Sequence, residues 1–504
     1  MSSAEYLESG RGEPQPPRGR RTVWLVGGAV GVLAVVGAGA WAAWSFFSTG
    51  PQPAEALPAS TIVYASIDLD PGGAQKIEAL RTLREFPSFK DDVGLETDDD
   101  VREWLFDQVK DSSGCDDLDY GDDVEPWLGD RMALAAVDTG EDGPAGVVVV
   151  QVSDEDAAEK GLTALRDCGG TAADGGGDSD SSSPAWSVHD GWAVLGETQD
   201  VVDRVTSDTA DAPLSDDADF QHWTDETGGG GIATLYVARS AADLAQDELG
   251  GLVGSAVSDD PTTSDALDSF RGMAATLRFS DGSLELEMAG GSSDAADVFG
   301  DGRAGDDLVA TLPSDTAAAV GVGLADGWLG DLVDDDTLAE LSDFTGLDLP
   351  SDVETLTGRS VALAVGADLD PDTLENSEDG TGVPVGLKVE GDAEAIGKIV
   401  DRLGPPFDSD SDGDVLAVGP DADYRQELLD DGGLGKTNVY QRAVPDSGDA
   451  AMVVFVDFDA GTWLDQLVAD DDELAADLEP LQALGISAWT DEDTTHVVMR
   501  VTTD

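Results

Sequence analysis

The sequence predicts an α+β protein with an N-terminal single transmembrane helix, followed by two related units, each a mostly antiparallel sheet with packed helices. An uncharged run long enough to cross a bilayer lies at residues 22–47. One pattern of motifs then occurs twice. Within each copy, β-branched strands alternate with amphipathic helices, and Asp-Gly turns join neighbouring strands tightly, which favours antiparallel pairing.

The uncharged segment at residues 22–47 is the predicted membrane helix. It has 26 residues, whereas a spanning helix needs about 20. Trp24 lies near one end, and Trp41 and Trp44 lie near the other, as in the aromatic belts at membrane interfaces. The segment therefore predicts a single-pass membrane protein.

The basic residues around this segment predict its orientation. The tail at residues 1–21 contains four arginines, whereas residues 48–59 contain no Lys or Arg. Because cytoplasmic flanks are enriched in Lys and Arg, the tail is predicted to be cytoplasmic and the C-terminal body extracellular, at the cell membrane. A cleaved signal peptide is the alternative, since Ala40-Trp41-Ala42 fits the small-x-small cleavage pattern.

The charge of the chain restricts its partners. Asp and Glu total 106 against 26 Lys and Arg, which gives a net charge of -80. Such a surface repels nucleic acid, so we exclude nucleic-acid binding and expect only weak cation association with the acidic surface. Genomic bias and adaptation to a saline habitat both explain this composition.

The body contains one pattern of motifs twice. Leu57-Pro58-Ala59-Ser60-Thr61 opens the first copy, and Leu312-Pro313-Ser314-Asp315-Thr316 opens the second. Further on, Ala133-Leu134-Ala135 recurs as Ala362-Leu363-Ala364, within a stretch of eighteen aligned positions that holds nine identities and no gap. We therefore predict two related extracytoplasmic repeats, at residues 57–290 and 312–504.

Both repeats are predicted to contain the same order of strands and helices. The first has strands at residues 147–152, 232–237, 274–279 and 284–288, and helices at 156–165 and 199–205. The second has strands at residues 383–389, 452–457, 486–490 and 494–501, and helices at 393–403 and 422–429. Flexible segments are predicted at 48–56 (a stalk), 169–184 (an insertion) and 291–311 (a linker), because they are rich in small and turn-forming residues.

Two cysteines, Cys115 and Cys168, are present in the whole chain. In an oxidising compartment an isolated pair usually forms a disulfide, so we predict a Cys115–Cys168 bond. Two unpaired thiols are the alternative.

One short acidic string has the spacing of a metal-binding loop. Asp408, Asp410, Asp412 and Asp414 surround Gly413, which matches the first half of a calcium loop. Position 12 of that loop needs a bidentate Glu, but Gly419 occupies it. The duplication also explains Asp412-Gly413 as a hairpin turn, because Asp190-Gly191 occupies the matching position in the first repeat. Calcium is thus a weak candidate, and no cofactor is predicted.

Catalytic motifs are absent from the sequence. The three histidines, His189, His222 and His496, belong to no HExxH motif, and no Gly-x-Ser-x-Gly motif occurs. Gly435-Lys436-Thr437 resembles the end of a phosphate loop, but it is interpreted as a turn into a strand at residues 439–440. Carboxylate-pair catalysis stays open, since a chain this acidic contains many pairs.

Several strings together resemble a known family. They are the Leu-Pro-x-x-Thr opening, Tyr64-Ala65-Ser66-Ile67-Asp68, the run at residues 75–81, and Pro126-Trp127-Leu128-Gly129-Asp130-Arg131. With the arginine-rich tail and membrane helix, they resemble the actinobacterial, membrane-anchored domain-of-unknown-function family 3352. The resemblance implies a cellular location and an architecture, but it implies no activity. Trp127 is interpreted as a core residue, because the second repeat has Leu356 at its position.

Three functions remain as hypotheses. The first is a non-enzymatic binding or structural module of the cell envelope, with an envelope protein or lipid as partner. The alternative is a carrier or sensor for an apolar ligand such as a lipid, since two related halves can enclose an apolar cleft. An uncharacterised enzyme is third.

Overall fold

The computed structural model describes most of residues 51–503. The residues outside the description are 1–50, nearly all of 69–117, and 141–142, 173–183, 229–230, 245–268, 281, 292–303, 492 and 504, with short gaps within 334–345, 371–379, 446–449 and 465–470. The predicted membrane segment at 22–47 is therefore outside it. Among the residues that are described, no helix combines the length and apolar character needed to cross a membrane.

Each half of the chain contributes eight described strands. In the first half they are β1 (Thr61–Asp68), β2 (Leu128–Asp138), β3 (Pro144–Val152), β4 (Ala185–His189), β5 (Trp192–Gly196), β6 (Ala233–Ala238), β7 (Gly272–Ser280) and β8 (Ser283–Gly291). In the second half they are β9 (Thr316–Gly323), β10 (Ser360–Gly366), β11 (Val385–Glu390), β12 (Asp408–Asp412), β13 (Val415–Gly419), β14 (Met452–Asp457), β15 (Leu481–Asp491) and β16 (Thr494–Thr503).

Helices lie between these strands, and ten of them have bounds that the structure describes. They are α1 (Glu155–Ala172), α2 (Gln199–Asp211), α3 (Ala218–Glu226), α4 (Ala304–Val309), α5 (Trp328–Leu332), α6 (Ser351–Thr357), α7 (Ala393–Leu403), α8 (Ala422–Leu429), α9 (Asn438–Ala443) and α10 (Asp472–Leu478). In α7, the Asp392 carboxylate accepts from the Ala395 N–H at 3.0 Å and so caps the first turn, while Ile396 and Val400 form the buried stripe.

The sixteen described strands all pair antiparallel in one sheet, in the order β12-β13-β11-β10-β9-β14-β15-β16-β8-β7-β6-β1-β2-β3-β5-β4. The second half has the same strand order as the first, read in the opposite direction. The prediction of mixed helices and antiparallel sheet is confirmed. Each unit was predicted to have a sheet of its own. The final strands of the two halves, β8 and β16, instead pair with each other and join the halves, which removes two open edges.

The pairing of β8 with β16 obeys an approximate two-fold symmetry. Matching the β7–β8 hairpin to the β15–β16 hairpin places Ser283 on Thr494, an offset of 211 residues (494 − 283). The same offset places Glu287 on Val498, and these two residues lie directly opposite each other. Equivalent residues can face each other in this way only at a two-fold axis.

The two faces of the sheet are packed differently. On one face, here called the covered face, α2 and α3 pack over the first half and α8 and α9 over the second, around residues such as Val149 and Phe455. The other face, here called the open face, is packed by helices at its two ends. There α1 packs with Val152, and α7 packs with Val389.

Two predicted flexible segments contain packed structure. Within the predicted stalk, Pro53–Ala56 forms a 3-10 helix, and Ala54 and Ala56 are buried. Within the predicted linker, α4 buries Leu308 and Val309 in the core of the second half. These corrections have one reason: each segment leads into a buried Leu, Leu57 or Leu312, whose packing outweighs the turn-prone composition. The predicted insertion also starts later, since α1 continues to Ala172.

Candidate functional site

The open face carries an uninterrupted apolar surface across seven neighbouring strands, from β11 to β8. Side chains alternate between faces along a strand, so cross-strand partners form rows on one face. One row consists of Leu387, Leu363, Val320, Val454, Ile486, Met499 and Leu286. The rows on either side consist of Val389, Val361, Val322, Met452, Ala488, Val497 and Met288, and of Val385, Val365, Ala318, Val456, Leu484, Val501 and Leu284. No charged or hydrogen-bonding side chain interrupts these three rows.

Part of this surface is exposed to solvent. Leu363, Val320 and Leu387 keep 40%, 39% and 36% of their surface accessible, and their neighbours toward β8 are half-buried. The adjacent residues that point to the covered face, such as Ala319 and Ala362, are buried. The solvent-exposed side of these strands is thus as apolar as the packed side.

The three apolar rows are extensive, and α7 packs over only one corner of them, at Val389 and Val361. Strands lie about 4.8 Å apart and residues rise about 3.3 Å along a strand, so three rows on seven strands span roughly 29 Å by 13 Å. Contiguous apolar patches of more than a few hundred Å² usually mark interaction sites on soluble proteins. With α1 and α7 bordering its ends, the open face forms a broad apolar floor.

Several charged side chains on the strands of this surface point to the covered face. At the junction of the halves, Arg278 Nη1 lies 2.8 Å from Glu285 Oε1, and Arg500 Nε lies 2.9 Å from Glu285 Oε2. Lys388 lies between two open-face residues of β11, yet its Nζ donates to Thr311 Oγ1 at 2.9 Å on the covered side. Burial lowers the pKa of Lys388. These charged side chains therefore lie on the side of the sheet opposite the open face.

The acidic string that resembled a calcium loop is an extended strand edge. Asp408, Asp410 and Asp412 lie on β12, and Asp414 lies in the two-residue turn that follows. Arg425 contacts Asp410 at 2.8 Å and Asp408 at 3.4 Å. An extended strand spreads these carboxylates along its length, whereas calcium needs ligands wrapped around it. Within the described part of the chain, no group of three or more His, Cys, Asp or Glu is placed to hold a metal.

The predicted disulfide stays a prediction. Cys115 lies outside the described residues. Cys168 lies in α1, where only the backbone is described.

Two histidines that the sequence places far apart meet at one carboxylate. His222 Nδ1 lies 3.7 Å from Glu226 Oε1, and His496 Nε2 lies 3.6 Å from Glu226 Oε2. His496 is buried and stacks on Trp489 with ring centroids 5.1 Å apart. These distances exceed those of hydrogen bonds, so the contacts are ion pairs only when the imidazoles are protonated.

The open face was not predicted from the sequence, although several of its strands have an unusual apolar pattern. Runs such as Val453-Val454-Phe455-Val456 and Val147-Val148-Val149-Val150 are apolar at every position. That pattern is typical of strands covered on both sides. The structure covers one side of several such strands and leaves the other accessible.

The comparisons with known proteins agree with the resemblance found in the sequence. Residues 25–368 match the family described as "Protein of unknown function (DUF3352)". The chain belongs to this family. No curated protein matches the sequence.

Solved structures of TP0453 align with this DUF3352 protein at low similarity. Crystal form I has 8% identity and a TM-score of 0.22, over 50% of this chain and 82% of that chain. Crystal form IV has 9% identity and a TM-score of 0.23, over 48% and 81%. Crystal form III has 8% identity and a TM-score of 0.22, over 76% and 98%. Scores this low establish neither a shared fold nor a shared function.

Proposed function

We propose that this chain is a membrane-tethered, extracytoplasmic binding module without catalytic activity, and that it binds an apolar ligand, such as the acyl chains of a lipid, on its open face. The observation that carries the proposal is the composition of that face. Three rows on seven strands hold no charge, in a chain whose net charge is -80.

The energetics favour an apolar occupant. Each Å² of apolar surface removed from water contributes roughly 25 cal/mol, so covering Leu363, Val320 and their neighbours is favourable for any acyl chain that reaches them. The acidic surface around this face repels anionic partners. A neutral or zwitterionic lipid therefore fits better than an anionic one.

The start of the described body supports proximity to a membrane. The Pro51 carbonyl accepts a hydrogen bond from Arg131 Nη1, and Ala54 is buried, so the described body is packed from residue 51 onward. The predicted membrane segment ends at residue 47. Four residue steps at about 3.5 Å each bridge roughly 14 Å, which is a short distance for a lipid to cross.

The test compares the lipid that co-purifies with full-length variants in amphipol. Leu363→Asp places a charge in the middle of the open face, whereas Leu403→Asp places one at an equally exposed leucine on α7, outside the three rows. We expect Leu363→Asp to carry less than half the lipid of the wild type and Leu403→Asp to carry the wild-type amount. Equal lipid in both variants would contradict the proposal, and an envelope protein lost only from Leu363→Asp would identify a protein as the occupant instead.

A further inference from the structure

A polar cleft lies on the covered face of the first half, away from the apolar surface. It is bounded by the 3-10 helix Pro53–Ala56, by α3 and by strands β1 and β6, and it has a volume of about 330 Å³. That volume is at the small end of the range for ligand pockets. The cleft is therefore large enough for a small molecule and too small for a lipid chain with its headgroup.

The floor of the cleft is charged and hydrogen-bonding. Arg131 Nε lies 3.5 Å from Asp68 Oδ2, and both residues are more than nine-tenths buried. The hydroxyl-bearing residues Ser66 and Thr234 line the cleft beside this ion pair, and the Phe220 ring lines the wall formed by α3. This floor offers donors, acceptors and one aromatic surface.

The duplication provides an internal comparison, because strand register identifies the equivalent residues of the second half. Asp68 pairs with Arg131 across β1 and β2, and the corresponding pair across β9 and β10 is Gly323 and Ser360. Likewise, Ser66 pairs with Thr234 across β1 and β6, and the corresponding pair across β9 and β14 is Gly321 and Val453. The second half has the same fold with none of these charges.

The fold does not require the polar residues that line the cleft. Val453 is fully buried in the core of the second half, at the place where the first half has Thr234 and a cleft. Buried ion pairs also contribute little net stability compared with apolar residues that fill the same space. The polar residues of the first half therefore call for a reason other than folding.

We propose that this cleft binds a small, uncharged, polyhydroxyl ligand of about monosaccharide size. Hydroxyl groups can donate to the Asp68 carboxylate and accept from the Arg131 guanidinium, in addition to the contacts that these two side chains already make within the protein. Three carboxylates line the cleft, from Glu55, Asp68 and Asp225, against one guanidinium, which disfavours an anionic ligand. The Phe220 ring provides a surface for the C–H side of a sugar or cyclitol ring.

The test is calorimetric titration of the full-length protein in amphipol with glucose, N-acetylglucosamine and myo-inositol, with acetate as an anionic control. We expect saturable heat from at least one polyol and none from acetate. Thr234→Val installs the residue of the second half and removes one hydroxyl, and we expect it to weaken binding about five- to tenfold. Asp68→Asn is a second variant with the same expected direction.

The matched control is Thr163→Val, which removes a threonine hydroxyl from α1, on the opposite face of the sheet. Binding equal to the wild type is expected from it. The proposal fails if none of the three polyols gives saturable heat, or if Thr234→Val binds as tightly as Thr163→Val. Lipid co-purification is expected to be unchanged in Thr234→Val, so this site and the open face are tested separately.

Discussion

At the residue scale, Tyr64 shows how a buried side chain affects the response to pH. Its ring packs in the core of the first half, with an edge-to-face contact to Phe220 at 5.5 Å between centroids. Burial raises the pKa of Tyr64 from 10.0 to about 12, against the opposing effect of hydrogen bonds with Ser66 and the Ala54 backbone. The folded protein therefore keeps this proton over a pH range in which the unfolded chain loses it.

We predict that Tyr64→Phe flattens the alkaline loss of stability. The phenol contributes stability fully below pH 10, and that contribution is lost as the pH rises toward about 12. One pKa unit corresponds to about 1.4 kcal/mol, so the loss from this group is on the order of 2–3 kcal/mol. Chemical denaturation of wild type and Tyr64→Phe between pH 8 and pH 12 measures it. Parallel curves for the two proteins over this range would contradict the assignment.

Single residues were predictable where the duplication supplied a comparison. Trp127 is 4% exposed, and its Nε1 donates to the Asp123 carbonyl at 2.7 Å, which confirms the core role inferred from Leu356 at the matching position. The arginine that binds the acidic string was not predictable, because Arg425 reaches β12 from α8. A contact between two elements depends on how they pack, which spacing in the sequence does not contain.

At the scale of elements, strands and helices with strong periodicity were predicted closely. The predicted helices at residues 393–403 and 422–429 and the predicted strand at 452–457 have the observed bounds. The helix predicted at 199–205 continues to Asp211 in the structure. The prediction ended too early because the last turns are polar and show no apolar stripe. Ends of elements depend on caps and packing, so they are less visible in the sequence than their centres.

Helices α3 and α9 were not predicted, and neither were the helices α4, α5, α6 and α10. The predicted strand at residues 439–440 is wrong, since those residues lie in α9. The signal was a shared pattern in which a leucine is followed by an N-cap residue, an aromatic residue and a glutamine. It reads Leu214, Asp217, Phe220 and Gln221 in the first half, and Leu434, Thr437, Tyr440 and Gln441 in the second. Asp217 and Thr437 do cap these helices, by accepting from backbone N–H groups.

The pairing of β8 with β16 predicts a specific cross-link. Met288 and Val497 lie directly opposite each other, at a spacing that suits a disulfide. In a background with serine at the native cysteines, we expect Met288→Cys/Val497→Cys to oxidise to an intramolecular disulfide. Peptide mass spectrometry without reductant detects it.

The control for this cross-link shifts one partner along the strand. In Met288→Cys/Val501→Cys the second cysteine lies four residues out of register, about 13 Å away. We expect no bond in this variant. A bond in the shifted pair, or in neither pair, would contradict the observed register and with it the two-fold axis between Glu287 and Val498.

At the scale of the whole molecule, the continuous sheet and its open face were beyond the reach of sequence analysis. The duplication identified the halves, but joining them required knowing which strands were left as edges. β8 and β16 are the strands at which the two halves meet, and their places in the sheet depend on pairing between residues far apart in the chain. The open face likewise arises only when seven strands align their apolar positions, since each strand alone resembles one covered on both sides.

The two proposed sites are related by their positions on the sheet. The open face and the polar cleft lie on opposite faces of one sheet, in a chain whose -80 charge keeps anionic partners away from both. The proposed membrane tether, the short connection predicted at residues 48–50 and the apolar floor together support the proposal that this protein receives a lipid close to the bilayer, on its open face.

Photo-cross-linking with a diazirine-bearing diacylglycerol, which carries no charge, probes the open face itself. Full-length protein in zwitterionic nanodiscs is illuminated with the probe, and labelled peptides are mapped by mass spectrometry, with unlabelled diacylglycerol as competitor. We predict competitor-sensitive labels on the peptides of β9, β10 and β11 that contain Val320, Leu363 and Leu387. Labels confined to the membrane segment or the covered face, or labels that the competitor does not reduce, would contradict the proposal.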